Sequence, residues 1–167
     1  MKLSTRSRYG VRLLLDMAQH YREGPVQLGV IARRQAIPVK YLEQIIIPLK
    51  KAGHVLSMRG AKGGHMLARA PEAITVGEIV ELLEGGLKLT RCAEEPGICE
   101  RSGRCLTRVL WKEAAEAMAT RLHSITLADL TGMGADISSA LTVDSRTEEG
   151  AVYEDSFHCH KQEEGNT

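Results

Sequence analysis

Aromatic side chains are scarce in this chain: one Phe, one Trp and four Tyr among 167 residues. That scarcity argues against a surface that stacks unpaired bases on a row of rings. Long apolar runs are missing too, so no membrane-spanning helix is expected. The opening Met1-Lys2-Leu3-Ser4-Thr5-Arg6 contains no apolar core of a signal peptide. These absences place the protein in the cytoplasm, where cysteines stay reduced unless they bind metal or sense redox change. Bulk charge is also missing: the formal net charge is +1. Acidic residues, however, are distributed unevenly. Up to Arg69 only Asp16, Glu23 and Glu43 stand against many Lys and Arg, and the remainder is acidic. A basic half joined to an acidic half suggests a nucleic-acid face plus a separate module. The length suits one domain, or a small domain with an appended element, and buries a core without disulfides.

The stretch from Leu28 to Arg69 organises the rest. A short apolar-periodic segment, Leu28 to Gln35, comes first. A tight joint at Ala36-Ile37-Pro38 follows. The second segment, Val39 to Lys51, carries Tyr41, Leu42, Ile45, Ile46 and Leu49 at helical spacing. Pro38 fits its first turn, where a missing N–H costs little. Pro48 removes a backbone bond and predicts a kink, or an end near Ile47. Gly53 suits a C-terminal cap. Two strand-like runs, Val55 to Met58 and His65 to Ala68, flank the basic tip Arg59-Gly60-Ala61-Lys62-Gly63-Gly64. Helix, turn, helix, hairpin is the order of a winged helix-turn-helix.

The flanking chain is helical by the same reasoning. Leu3 to Tyr21 repeats Tyr9, Leu13, Met17 and Tyr21 every four residues, with Ser4 or Thr5 as cap and Gly24-Pro25 as terminator. Thr75 and Glu78 form a capping box for a helix to about Leu83, stopped by Gly85-Gly86. A polar loop spans Arg91 to Arg104. Leu106 to Ser124 is helical again, with a broad apolar stripe of the kind that pairs with its own copy in two-fold dimers. The alternative is that the stripe covers the domain core. Thr126 to Asp129 caps a last short helix. From Gly134 onward periodicity stops and a mobile tail is expected. The resulting fold class is mainly α with a small β-hairpin wing, plus a long C-terminal dimerisation helix. Its divisions are a DNA-binding domain at 1–86, a cysteine-rich sensor loop at 87–105, dimerisation and cap helices at 106–132, and a tail at 133–167.

On the second helix of the motif, Lys40, Glu43 and Gln44 share a face opposite Leu42, Ile45 and Leu49, with Tyr41 among them. Gln pairs with adenine, Glu accepts from cytosine N4, and Lys meets guanine or phosphate. A solvated helix face is the plain alternative, and the adjoining basic tip weighs against it. Arg59 suits a narrow minor groove, Gly60 permits close approach to a backbone, and Lys62 and Arg69 suit phosphates. The tip lacks the Gly-Lys-Ser/Thr ending of a nucleotide-binding loop. None of His54, His65 and His123 sits in a recognisable nucleophile setting, so an enzyme is not expected.

Cys92, Cys99 and Cys105 are separated by six and five residues in one loop, and the fourth cysteine lies in the tail. Grouped soft thiolates select zinc, copper(I) or an iron–sulfur cluster, and the spacing is not that of a zinc ribbon. A metal-free thiol switch and inert thiols are the other readings. Arg91, Arg101, Arg104 and Arg108 favour the thiolate form. His158-Cys159-His160 in the tail is a compact donor group or a chance sequence.

Met1 to Gly10, Tyr41-Leu42-Glu43-Gln44-Ile45, Leu49-Lys50-Lys51-Ala52-Gly53, the basic tip, Cys92…Cys99…Cys105-Leu106-Thr107, Trp111 and Ile125 to Leu130 together resemble the IscR family of regulators, also called Rrf-two. The resemblance covers residues 1 to about 132. It implies a homodimeric winged-helix transcription factor on a double-stranded operator, in most cases a repressor. It also implies a 2Fe-2S or 4Fe-4S cluster on Cys92, Cys99 and Cys105 that senses redox state, nitric oxide or iron supply. Lys40, Glu43 and Gln44 would be recognition-helix contacts and Arg59 a minor-groove contact. The chain departs from the family pattern at the fourth ligand. A histidine position three residues after the last cysteine is Arg108, and an N-terminal aspartate position is Arg8. Glu94, Glu95, Glu100, a small thiol, water or an open iron are the remaining choices. A metal-free thiol-switch regulator and a regulator that binds a partner enzyme stay open as alternatives.

Overall fold

Ser4 starts the first helix. Its hydroxyl accepts from the Ser7 N–H at 3.2 Å, and α1 runs Thr5–Gln19. The computed structural model describes residues 3–134 other than 61, 96 and 102, and the tail group His158, Cys159 and His160 lies outside the described residues. α1 ends two residues before the expected Tyr21. Arg22 and Gly24 take φ of 78° and 100° instead, turning the chain back to Val26. Val26 bridges His65, exchanging two backbone hydrogen bonds of 2.8 Å each.

α2 (Leu28–Gln35) and α3 (Val39–Lys51) have the expected bounds. The joint between them works by backbone geometry. Ala36 is left-handed, at φ 50°, and the Ile37 N–H reaches the Ala32 carbonyl at 3.0 Å. Pro38 precedes the first turn of α3 as its N-cap, where its carbonyl accepts from Tyr41 and Leu42. Pro48 lies inside α3, and the helix does not stop at Ile47. Leu49, fully buried, holds the last turn down against the local preference. Gly53, at φ 74°, then closes it, with the His54 N–H on the Leu49 carbonyl at 2.9 Å.

The wing is β1 (Val55–Met58) paired antiparallel with β2 (Gly64–Leu67), in register Val55 with Leu67 and Met58 with Gly64. β2 starts one residue earlier than the sequence pattern predicts, because Gly64 must pass against Val26. A Cβ at Gly64 would lie 2.7 Å from the Val26 backbone. After a 3-10 turn at Pro71–Ala73 comes α4 (Val76–Glu84), capped by the Thr75 hydroxyl on the Glu78 N–H at 3.2 Å and stopped at Gly85, φ 75°. α5 (Arg91–Glu94) is a single turn inside the expected loop, and α6 runs Leu106–His123. Helical backbone resumes over 127–134, with the Thr126 N–H on Asp129 Oδ2 at 2.8 Å. Among the described residues no helix is long and apolar enough to cross a membrane.

The main core joins α1, α2, α3 and α4 through Leu13, Leu14, Ile31, Leu42, Ile45, Leu49 and Ile79. Each such side chain contributes about 1.5–3 kcal/mol by leaving water. Asp16 is a charged intruder, 1 % exposed, on the α1 side. It is matched by Arg34 Nη1 at 3.1 Å and Gln35 Nε2 at 3.0 Å, so its burial ties α1 to the end of α2. A second, smaller core of Val76, Val80 and Leu87 receives Met118, Ala119 and Leu122 of α6. Gly77 lets α6 come this close, since a Cβ there would lie 2.7 Å from the His123 backbone nitrogen. Another row of α6 stands open among the described residues: Leu106 is 86 % exposed, Val109 55 % and Leu110 54 %.

Candidate nucleic-acid interface and cysteine loop

α3 turns Leu42, Ile45, Ile46 and Leu49 into the core. Helical periodicity then leaves Lys40, Glu43 and Gln44 exposed on one outward row. Tyr41 is different. It is half-buried, with its ring edge-on to Tyr9 at 5.6 Å. Arg12 lies over the Tyr9 ring at 5.6 Å and also bonds Gln35, so the start of α3 is braced by α1. One residue of the outward row was not anticipated. Ile47 is 54 % exposed, three residues beyond Gln44 and four beyond Glu43. The run Ile45-Ile46-Ile47 carried the signal, because a helix cannot turn three successive side chains to one core face.

Arg59, Gly60 and Lys62 are exposed at the wing tip. Gly60 takes φ 111°, where an L side chain is strained, and its carbonyl accepts from Gly63 at 2.9 Å. Arg69, expected at phosphates, is engaged within the chain. Its Nη2 donates to Glu78 Oε2 at 2.9 Å and lies 3.0 Å from His54 Nδ1. It therefore fastens the end of the wing to α4. Burial first, and the Arg69 charge second, hold the His54 pKa below its ordinary value. Because Arg69 can only donate, Nδ1 of His54 is the acceptor in this contact. Burial raises Glu78, but the hydrogen bond and charge of Arg69 outweigh it and leave that carboxyl below its usual range. His65 belongs to hairpin packing as well: Nδ1 lies 2.9 Å from Ser57 Oγ, and burial lowers its pKa, aided by Lys50.

The three loop cysteines are free and half-exposed. Cys92 sits in α5, with Sγ 3.6 Å from Thr90 Oγ1. Cys105 is the N-cap of α6, with Sγ 3.1 Å from Thr107 Oγ1. That hydroxyl, and next the Arg108 backbone N–H, pull the Cys105 thiol below its ordinary pKa. Arg108 donates from Nε to the Cys92 carbonyl at 2.7 Å, so α5 is fastened to the first turn of α6. Among the described residues, no three His, Cys, Asp or Glu side chains stand close enough together to hold a metal ion. Cys92, Cys99 and Cys105 thus share a loop without converging in the single chain. Arg8 bonds Thr5 Oγ1 at 3.2 Å.

A helical core of α1 to α4, an exposed face on the second motif helix and a two-stranded wing define a winged helix-turn-helix, a DNA-binding class. The Rrf2 family, described as "Iron-dependent Transcriptional regulator", matches residues 3–132. The chain belongs to the Rrf2 family, whose members are transcriptional regulators and not enzymes. "Protein rrf2" of Nitratidesulfovibrio vulgaris is 52 % identical over 130 residues, covering 78 % of this chain and 87 % of that protein. The IscR structure of T. potens superposes with a TM-score of 0.66 at 41 % identity, covering 90 % of this chain and 94 % of that one. The structure of CymR (YrzC), the global cysteine regulator of B. subtilis, gives a TM-score of 0.68 at 38 % identity, covering 80 % of this chain and 98 % of that one.

Proposed function

We propose that this regulator is a cytoplasmic homodimeric repressor that reads a near-palindromic duplex with α3 and the wing. Lys40, Glu43 and Gln44 enter the major groove, and Tyr41, braced by Tyr9, meets the DNA at the edge of that row. Arg59 enters the adjacent minor groove, while Gly60 and Lys62 approach the phosphates. Residues 1–86 form the reading domain, 87–105 the sensor loop, and 106–132 the dimerising part. The exposed apolar row Leu106, Val109 and Leu110 on α6 supports pairing with a second copy.

The proposed sensor is an iron–sulfur cluster, 2Fe-2S or 4Fe-4S, on Cys92, Cys99 and Cys105. The donor set fits it: three free, half-exposed thiols on one loop, with Arg91, Arg101 and Arg104 to offset the charge of thiolate ligands. When bound, the cluster would supply a centre reactive to oxygen, nitric oxide or iron supply. The chain's own part is to bring the thiols together and to report their position. A single observation carries this reading. Arg108 grips the Cys92 carbonyl while Cys105 caps α6, so the loop is fastened at both ends to the proposed dimer helix. Arg108 itself is no ligand, and the fourth position falls to a loop carboxylate, a small thiol, water or an open iron. Three free thiols on one loop, with Cys105 Sγ 3.1 Å from Thr107 Oγ1, support a second reading, a metal-free thiol switch.

Selection of duplexes from a random-sequence pool with the full chain tests the reading head. A two-fold site is expected to be enriched. Glu43→Ala is expected to relax base preference more than it weakens binding. Equal weakening on all sequences contradicts the role of Glu43.

A further inference from the structure

Ile47 extends the outward row of α3 by one further turn, and nothing above assigns it a task. It is 54 % exposed, while Ile45 and Ile46 beside it are 1 % and 4 % exposed. A branched apolar side chain on an open helix face gains nothing from water. It also weakens the helix, because Ile is β-branched and precedes Pro48, which disfavours helical geometry at the residue before it. Two local costs therefore fall on one outward position. From Lys40 to Ile47 the row spans about 10 Å along the helix, roughly three base steps. Lys40, Glu43 and Gln44 supply the hydrogen-bonding part of that row, and Ile47 is its apolar end. In a major groove the apolar feature at a base edge is the thymine methyl group.

We infer that Ile47 is a specificity-determining residue that packs on a thymine C5-methyl in each half-site. This rests on the DNA reading by α3 proposed above. Covering one methyl group is worth a factor of about four in binding. The contact discriminates thymine from uracil, which pairs identically but lacks that methyl.

The experiment uses the full chain and the duplex enriched by selection, with each thymine replaced in turn by deoxyuridine. For the wild-type chain, one thymine per half-site is expected to show a roughly fourfold loss on replacement. In Ile47→Ala that position becomes indifferent to the methyl while the other positions keep their pattern, and Ile47→Val retains the preference. Matching melting temperatures of the three chains show that folding is not the cause. Identical scanning profiles for wild type and Ile47→Ala overturn the inference. If Glu43→Ala still changes base preference in that case, only the role of Ile47 fails. If no duplex is enriched at all, the DNA reading and the Ile47 inference fail together.

Discussion

Arg108 Nε lies 2.7 Å from the carbonyl oxygen of Cys92, so a side chain of α6 holds the backbone of the cysteine loop. A charge-assisted bond of this kind contributes about 1.5–3 kcal/mol when its partner has no substitute. Arg108→Ala is expected to loosen α5 while leaving the reading domain folded. Alkylation of Cys92 under native conditions should then accelerate by roughly tenfold, read by mass spectrometry of the modified peptides. An unchanged rate at Cys92 would show that the loop is held by other contacts.

Stability should fall on mild acidification, and His54 is one cause. Its folded pKa lies below the ordinary 6.5, through burial and then the Arg69 charge. The unfolded chain therefore binds the proton more readily. The contribution is fully present above 6.5 and is lost as the pH falls below it toward the folded value. His65 has the same sign, from burial and then Lys50. Thermal melting between about pH 7 and pH 5 should show the decline. His54→Asn keeps an acceptor for Arg69 without a titrating ring and should flatten it. A slope as steep in that variant as in the wild type contradicts the assignment.

The exposed row on α6 predicts the oligomeric state. Val109 is 55 % exposed and belongs to neither core cluster. Val109→Glu is expected to give a monomer by light scattering, with an unchanged circular dichroism spectrum. Its binding should drop to that of a single half-site. A Val109→Glu chain that stays dimeric places the contact elsewhere.

Local patterns made most of the reading head legible. The bounds of α2 and α3, the Thr75 cap and the Gly85 stop all follow from spacing and turn chemistry within a few residues. What stayed illegible depends on distant partners. Pro48 by itself predicts a kink or an end near Ile47, and the helix runs on to Lys51 with Leu49 buried. Arg69 resembles any basic wing residue until α4 brings Glu78 to it. Tyr41 shares the sequence pattern of the reading face, yet Tyr9 of α1 half-covers it. Asp16 gives no sign of burial, because Arg34 and Gln35 lie 18 and 19 residues away. The cysteine spacing showed a grouped loop, and no local rule says what its thiols hold.

The central claim is that Cys92, Cys99 and Cys105 hold an iron–sulfur cluster that governs the reading head. Iron and acid-labile sulfide counted per chain, after anaerobic reconstitution of the full chain, test it most directly. The account predicts a coloured protein with equal iron and sulfide. The loading should be lost in Cys92→Ser, Cys99→Ser and Cys105→Ser and retained in Ile47→Ala. A colourless wild-type chain after reconstitution, with a disulfide forming on mild oxidation, contradicts the cluster and leaves the thiol switch in its place.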